Sequence, residues 1–468
     1  MSETFEGPAA ARPAYSGGYK AWVLAILVAV CTSNFIDRTI VSVLGEAIKA
    51  DLKLADWQLG VLGGLSFAVF YTVLGIPIAR LAERRNRVKI IAASVFVWSL
   101  MTALCGGAAV YWQLLLCRIG VGVGEAGCTP PSHSVISDYF GPARRATALS
   151  IYSLGIPLGH LFGALAGGWI AMTLDWRVAF VLVGVPGMVL AVVVRFGIKE
   201  PPRGNAEPGR PAADTAPPFK DVLKVLFRQR AFIHLAIGAG LVSFVGYGVG
   251  QFISPYLVRA FGFDYAQAGL VLGLIGGVSA GIGTLMGGPI ADWAAKRDLR
   301  WYAWTPAVGL VIAAPLYMLG YLQTDARLAV AILLIPGLFH YLYLGPTFGV
   351  VHSMVEPRMR ASTTALLLLI LNLIGLGLGP SAVGALSDLF AAHLFGGFGL
   401  GEFTAACPGG RAPPGGAAAL ADACSYSLAT GLRYAIVASL FVLFWAAAHF
   451  WLASRTLRQA IAHGAGGA

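Results

Sequence analysis

Apolar runs of about 20 residues recur along nearly the whole chain, each long enough to cross a bilayer as a helix. Short polar or Gly- and Pro-containing turns separate them. The pattern predicts spans at 20–46, 57–81, 88–110, 112–136, 145–174 and 177–197, then at 231–258, 266–291, 301–322, 328–354, 361–389 and 428–453. The expected fold is therefore an all-α polytopic membrane protein, with twelve transmembrane helices in two pseudo-symmetric six-helix bundles. Residues 1–19 read as an N-terminal tail and 20–198 as the first bundle. Residues 199–230 are a linker of Pro, Gly, Ala and charge, ending in a basic amphipathic helix expected to lie on the membrane surface. The second bundle is 231–454, with an insertion at 395–425, and 455–468 is a tail. The first sixteen residues are rich in Ala, Pro and Glu and lack an h-region, so no cleavable signal peptide is expected.

Composition agrees: 57% of residues are hydrophobic and 12% charged, against about 25% charged in soluble domains. The net charge of +11 could suggest a polyanionic partner. Its distribution argues for topology instead. Arg84, Arg85 and Arg87, Arg144 and Arg145, Arg228 and Arg230, Lys296 and Arg297, Arg358 and Arg360, and Arg455 and Arg458 all fall on one side of the predicted membrane. Basic residues mark the cytoplasmic side, so both termini are expected in the cytoplasm, with the protein in the plasma (inner) membrane. An anionic leaflet accounts for the charge. Membrane lipids are expected neighbours, nucleic acid is not a partner, and the expectation is a monomer.

Charges at membrane depth are costly and mark pathways. Asp37-Arg38 interrupts the first span, and Arg118 and Glu125 stand two helical turns apart in the fourth, on one face. Static salt bridges between helices are the blander reading, but buried pairs contribute little net stability. Transport explains four ions in one wall better. Asp37 and Glu125 are thus the expected proton-coupling acids, and Arg38 and Arg118 the headgroup-binding charges. Asn34, Thr129, His133, Phe244, Tyr247, Gln251, Tyr341, Tyr343 and Asn372 are candidate cavity-lining residues, although aromatic residues in spans more often face lipid or core. No histidine has metal-ligand company, so no metal and no cofactor beyond a coupling proton is expected. Thr129-Pro-Pro-Ser132-His133 lacks an orienting acid for nucleophilic catalysis, and no ATPase phosphate loop occurs. An enzyme is not expected, and an ion or substrate gradient must supply the energy.

The halves repeat. Ala79-Arg-Leu-Ala-Glu83-Arg-Arg-Asn-Arg87 closes the second span and Gly288-Pro-Ile-Ala-Asp292-Trp-Ala-Ala-Lys296 the eighth, while Asp56…Gly60…Gly64 precedes one and Asp264…Gly269…Gly273 the other. Parallel six-span repeats place a transporter's site between halves at the bilayer midplane. With Asp138 and Glu356 the repeat supplies acid, base and acid twice. Glu83, Arg87, Asp138, Asp292, Lys296 and Glu356, docking near Arg145 and Arg360, therefore read as a cytoplasmic gate formed only when that side is shut. A topology signal is the plainer alternative, yet it needs no acids.

The turn motif that occurs twice, Arg118-x-x-x-Gly122-x-Gly124-x-Ala126, and Gly155-Ile-Pro157-Leu-Gly159 together resemble the major facilitator superfamily. Asn34-Phe-Ile-Asp37-Arg38, Gly122-Val-Gly-Glu125-Ala126 and the run from Asn372 to Pro380 ahead of Leu386-Ser387-Asp388 are similar to its spinster family, over nearly all of the chain. That resemblance implies a major facilitator fold. It also implies a lysophospholipid or sphingosine-1-phosphate-like lipid as substrate, and proton coupling by alternating access. A sugar, drug or other organic anion, or an uncoupled scramblase or sensor, is the alternative. Two features depart from the family: Ala79 where the turn motif has Gly, and the insertion. Cys31, Cys105, Cys117 and Cys128 lie within spans as small fillers. Cys407 and Cys424 share the insertion and are expected to pair if it reaches an oxidising compartment.

Overall fold

The computed structural model describes residues 15–203, 205, 219–356 and 359–465, and among these every regular element is a helix. Among the described residues eleven helices are long and apolar enough to cross a membrane. They run from Gly17–Val43, Asp56–Ala82 and Arg87–Cys105 in the first half to Trp301–Tyr321, Ala326–Ser353, Ser362–Gly396 and Ala418–Ala462 in the second. Between these come Thr147–Thr173, Trp176–Gly197, Arg230–Phe261 and Tyr265–Ala295. The fourth span completes the set in two pieces, Tyr111–Glu125 and Thr129–Tyr139. The break has a local cause. Gly122, Gly124 and Gly127 make a regular helix expensive here, and the second piece restarts on Pro130 and Pro131, which first-turn positions accept because no intrahelical N–H is needed there. Spans two, eight and eleven each contain a widened π turn, at Val61–Leu65, Leu274–Ser279 and Leu371–Leu378.

Both ends of the described chain lie on the side that also carries the linker. Tyr19 Oη donates to Gly197 O at 3.2 Å, Tyr139 Oη donates to Lys199 O at 2.6 Å, and Arg458 pairs with Asp298 at 2.9 Å. This is the linker side; the other is the far side. In lipid, apolar area drives little association, so spans pack through small residues that let backbones meet. The halves meet in this way toward the far side. A Cβ built on Gly60 would stand 2.2 Å from Pro380 O, and one on Gly168 2.4 Å from Tyr265 O. Ser42 Oγ also donates across the seam to Gly250 O and Gln251 O, at 3.0 and 2.9 Å.

Two segments depart from expectation. The amphipathic helix Phe219–Arg228 does not simply lie on the membrane: Val222 and Leu226 are fully buried against the seventh and eleventh spans, and Gln229 Nε2 donates to Met354 O at 3.1 Å. The linker-side end of the second bundle offers that helix an apolar seat that lipid would otherwise cover. The insertion is ordered around a small core of its own, Phe395, Phe403 and Leu428, closed by a Cys407–Cys424 disulfide. The helix that follows runs Ala418–Ala465 without interruption.

Candidate functional site

Asp37 and Arg38 are consecutive on a helix and so diverge by about 100°. Each reaches one of the two opposite charges on the fourth span. Arg118 Nη1 donates to Asp37 Oδ2 at 3.1 Å, and Arg38 holds Glu125 Oε2 through Nε at 2.9 Å and Nη2 at 2.8 Å. Thr102 Oγ1 adds a donor to Asp37 Oδ1 at 2.7 Å. The two pairs are not alike. Arg118 and Asp37 are sealed, at 2% and 1% side-chain exposure, whereas Arg38 keeps 14%. The Arg38 guanidinium lies 4.6 Å from the Phe67 ring centroid, 5.0 Å from Tyr71 and 5.1 Å from Phe35. Among the described residues buried Glu125 Oε1 and Arg118 Nε have no hydrogen-bond partner. The break in the fourth span also makes Glu125 the last residue of its helix, at the end whose dipole disfavours an anion.

Of the two arginines the sequence offers to a headgroup or charge network, Arg38 is the more accessible. The glycines beside them serve packing, since a Cβ at Gly122 would stand 2.8 Å from Phe67 O and one at Gly124 2.6 Å from Trp98 N.

The candidate lining residues divide. Tyr247 crosses from the second half to pack on the same apolar cluster as Phe35 and Tyr71, and Asn34 is buried on the tetrad's own span. His160, which the sequence did not single out, shares a hydrogen bond with Thr39 Oγ1 at 2.9 Å and meets Phe35 edge-on. Phe244, Tyr341, Asn372 and Thr129 are half-buried, and exposed His133 sits against Tyr152. Gln251 and Tyr343 face no open space: the Gln251 amide fills the gap beside Gly63, and Tyr343 Oη bonds Ser243 Oγ at 3.0 Å within the second half. Among the described residues no cluster of three His, Cys, Asp or Glu could hold a metal.

A second ion cluster, which the sequence did not reveal, bridges the halves at the far side. Arg259 of the seventh span donates to Glu46 Oε2 at 2.7 Å and to Asp56 through Nη1 and Nη2 at 2.7 and 2.8 Å. Lys49 Nζ reaches Asp56 Oδ1 at 2.6 Å, and Ser387 Oγ donates to Asp56 Oδ2 at 2.6 Å. Asp388, from the second half, accepts the backbone N–H groups of Asp56 at 3.0 Å and Trp57 at 2.8 Å. It thereby caps the second span from across the seam, where Ala55 supplies no side-chain cap bond. Above this ring the insertion rests on the first half: Gly409, at φ 69°, has Lys53 Cα 3.0 Å from where its Cβ would be, and Arg411 comes to 4.0 Å from Glu46.

At the linker side Arg87 pairs with Asp138, as the motif suggested, and also with Glu200 at 2.7 Å, which the motif did not include. In the second half Asp292 accepts from Tyr302 Oη at 2.9 Å, and no ion pair joins it to exposed Lys296 among the described residues. Arg145 donates to Ser137 O at 3.1 Å and Arg360 to His352 O at 3.2 Å, each within its own half. Glu356 is the residue after which the description is interrupted, and the Glu83 side chain lies outside it.

Residues 26–380 match the Major Facilitator Superfamily model. The chain is 34% identical to an MFS-type efflux pump of Mycolicibacterium smegmatis, over 80% of this chain and 86% of that one. It is 28% identical to protein spinster homolog 1 of Xenopus tropicalis, over 78% and 72%. Among solved structures, a bacterial homolog of the human lysosomal transporter spinster, in an inward-facing and unoccupied conformation, superposes with a TM-score of 0.87. It is 37% identical, over 95% of this chain and 99% of that one.

Proposed function

The chain belongs to the Major Facilitator Superfamily, in its spinster branch, and we propose that within it the protein is a proton-coupled secondary transporter of an amphipathic lipid, lysophospholipid or sphingosine-1-phosphate-like, working by alternating access. The observation that carries this reading is the Arg38–Glu125 pair: a partly open guanidinium walled by aromatic rings and tied to a buried acid with one oxygen free. An arriving phosphate competes for Arg38. Glu125 then loses its countercharge in a site of low polarity, where an acid takes up a proton. Asp37, held by Arg118 and Thr102, is the second acid of the relay, and Arg118 acts on it rather than on substrate. Tyr247 and the apolar residues of the second half would receive the tail.

Substrate exchange then requires the far-side ring to break, while the linker-side acids and bases, Glu83 and Arg360 or Asp292 and Arg145 among them, come together. The basic linker side supports a cytoplasmic placement of both termini in the plasma membrane, and the disulfide on the far side fits an oxidising compartment. A wider reading, export of a drug or another organic anion, is favoured by the likeness to a protein named as an efflux pump. Counterflow in proteoliposomes with radiolabelled lysolipids and organic anions, with and without an imposed pH gradient, separates these. Lysolipid accumulation that follows the gradient is expected. Exchange of lysolipid indifferent to the gradient would leave a scramblase, and no movement of it under either condition would leave another substrate class or a sensor.

A further inference from the structure

The third and sixth spans approach closely at mid-depth: a Cβ on Gly184 would stand 2.5 Å from Ser99 O, and one on Gly187 2.2 Å from Ser99 Oγ. Nearer the linker side a groove of about 460 Å³ opens between the same two helices. Its floor is small and apolar, with Ala92 and Ala191 buried, and its rims are Phe96 and Phe196, 45% and 77% exposed. Rings that open on a spanning helix face lipid. Lys89, in the first turn of the third span, and Arg195, in the last turn of the sixth, line the groove's linker-side end. Among the described residues neither is ion-paired, and Arg195 is braced on the Phe196 ring at 5.3 Å. The acid of that neighbourhood, Glu200, is already engaged by Arg87 Nε at 2.7 Å and by the Val88 N–H at 2.9 Å.

Topology marking accounts for two basic residues at this depth but not for their convergence on an apolar-floored groove. We propose that the groove is a binding site for one anionic phospholipid of the linker-side leaflet, its phosphate between Lys89 and Arg195 and one acyl chain along the Ala92 and Ala191 floor. Basic pockets between spanning helices hold anionic headgroups in this manner. The site is on the outer surface of the first bundle, apart from the tetrad, and its occupancy does not depend on what the protein transports.

The test uses the full-length protein, delipidated in detergent and re-exposed to equal amounts of phosphatidylglycerol and phosphatidylcholine, with retained lipid counted by native mass spectrometry. Wild type is expected to retain phosphatidylglycerol preferentially. Lys89→Gln/Arg195→Gln should cut that preference by roughly thirtyfold, as two lost cations at the interface imply. Ala93→Phe, which fills the groove and leaves both charges, should lower retention of phosphatidylglycerol while inorganic phosphate fails to displace what remains. An unchanged preference in the double variant overturns the proposal, as does displacement by inorganic phosphate alone. Loss of the preference in Arg38→Gln with its survival in Lys89→Gln/Arg195→Gln would move the lipid to the tetrad and equally overturn it.

Discussion

The two buried ion clusters both pair carboxylates with cationic side chains and differ in how completely they are satisfied. In the far-side ring, Asp56 receives Lys49, Arg259 Nη1 and Nη2, and Ser387, while Glu46 takes Arg259 Nε. In the tetrad, Glu125 Oε1 and Arg118 Nε have no partner among the described residues, and Arg38 is partly open. A saturated cluster has one low-energy arrangement and resists change, because removing a partner strands buried charge. A cluster with vacancies can change partners at lower cost. The ring is suited to hold a conformation and the tetrad to respond to what binds.

The largest expected effect comes from breaking the saturated member. Arg259→Met leaves Glu46 and Asp56 buried with too few donors and should weaken far-side closure by about 3–5 kcal/mol. Spin-label distances across the far face should then lengthen, and an unaltered distribution would remove the ring from the gate. Smaller is the effect at the open member. Glu125→Gln keeps shape but forfeits a charge-assisted bond, about 1.5–3 kcal/mol, and should abolish pH-driven accumulation while sparing exchange. Accumulation that persists would show that coupling lies elsewhere.

Opening the insertion touches the ring from outside. Cys407→Ser/Cys424→Ser releases a loop of 17-residue separation, with a loss of about 3 kcal/mol that falls mostly on the insertion itself. Amide exchange at 45–52 should quicken modestly beside a large rise at 403–410, and a rise confined to 403–410 would show that the ring holds without its cover. The smallest effect is expected at the linker side. There the Arg300 N–H, and next Arg458, hold the Asp298 carboxyl below its usual range. A depressed acid contributes above its ordinary value and loses that contribution as pH falls through the lowered one. Acidification through that range, or Asp298→Asn at neutral pH, should therefore fray only the last turns of the final helix, as read by its helicity. No change in either would make the Arg458 contact incidental.

The tetrad was legible because a charge in an apolar run has no cheap explanation, and Asp37, Arg38, Arg118 and Glu125 do converge. Which arginine stays open was not legible. Arg38 and Arg118 look equivalent in sequence, and only tertiary packing, which leaves 14% of the Arg38 side chain exposed and 2% of Arg118, distinguishes them. The far ring escaped for a related reason. Asp56 and Asp264 were recognised as repeated positions, yet Asp264 merely caps its own helix by bonding Gln267 N–H, while Asp56 turns into the seam. Internal symmetry marks both and cannot say which is used. Glu46, Lys49 and Arg259 lie at span ends, where charge is unremarkable until tertiary packing buries it. The seat of the linker helix on the second bundle was not legible because amphipathicity specifies an apolar surface without saying whether lipid or protein provides it.

The final helix, at 48 residues, is about 72 Å long, more than twice the roughly 30 Å hydrocarbon thickness. One end is stitched into the insertion that sits on the first half, and the other carries Arg458 against Asp298. One continuous helix thus reaches from the insertion seated on Lys53 to the Arg458 contact, giving the two surfaces of the protein a shared element that carries none of the tetrad's charges.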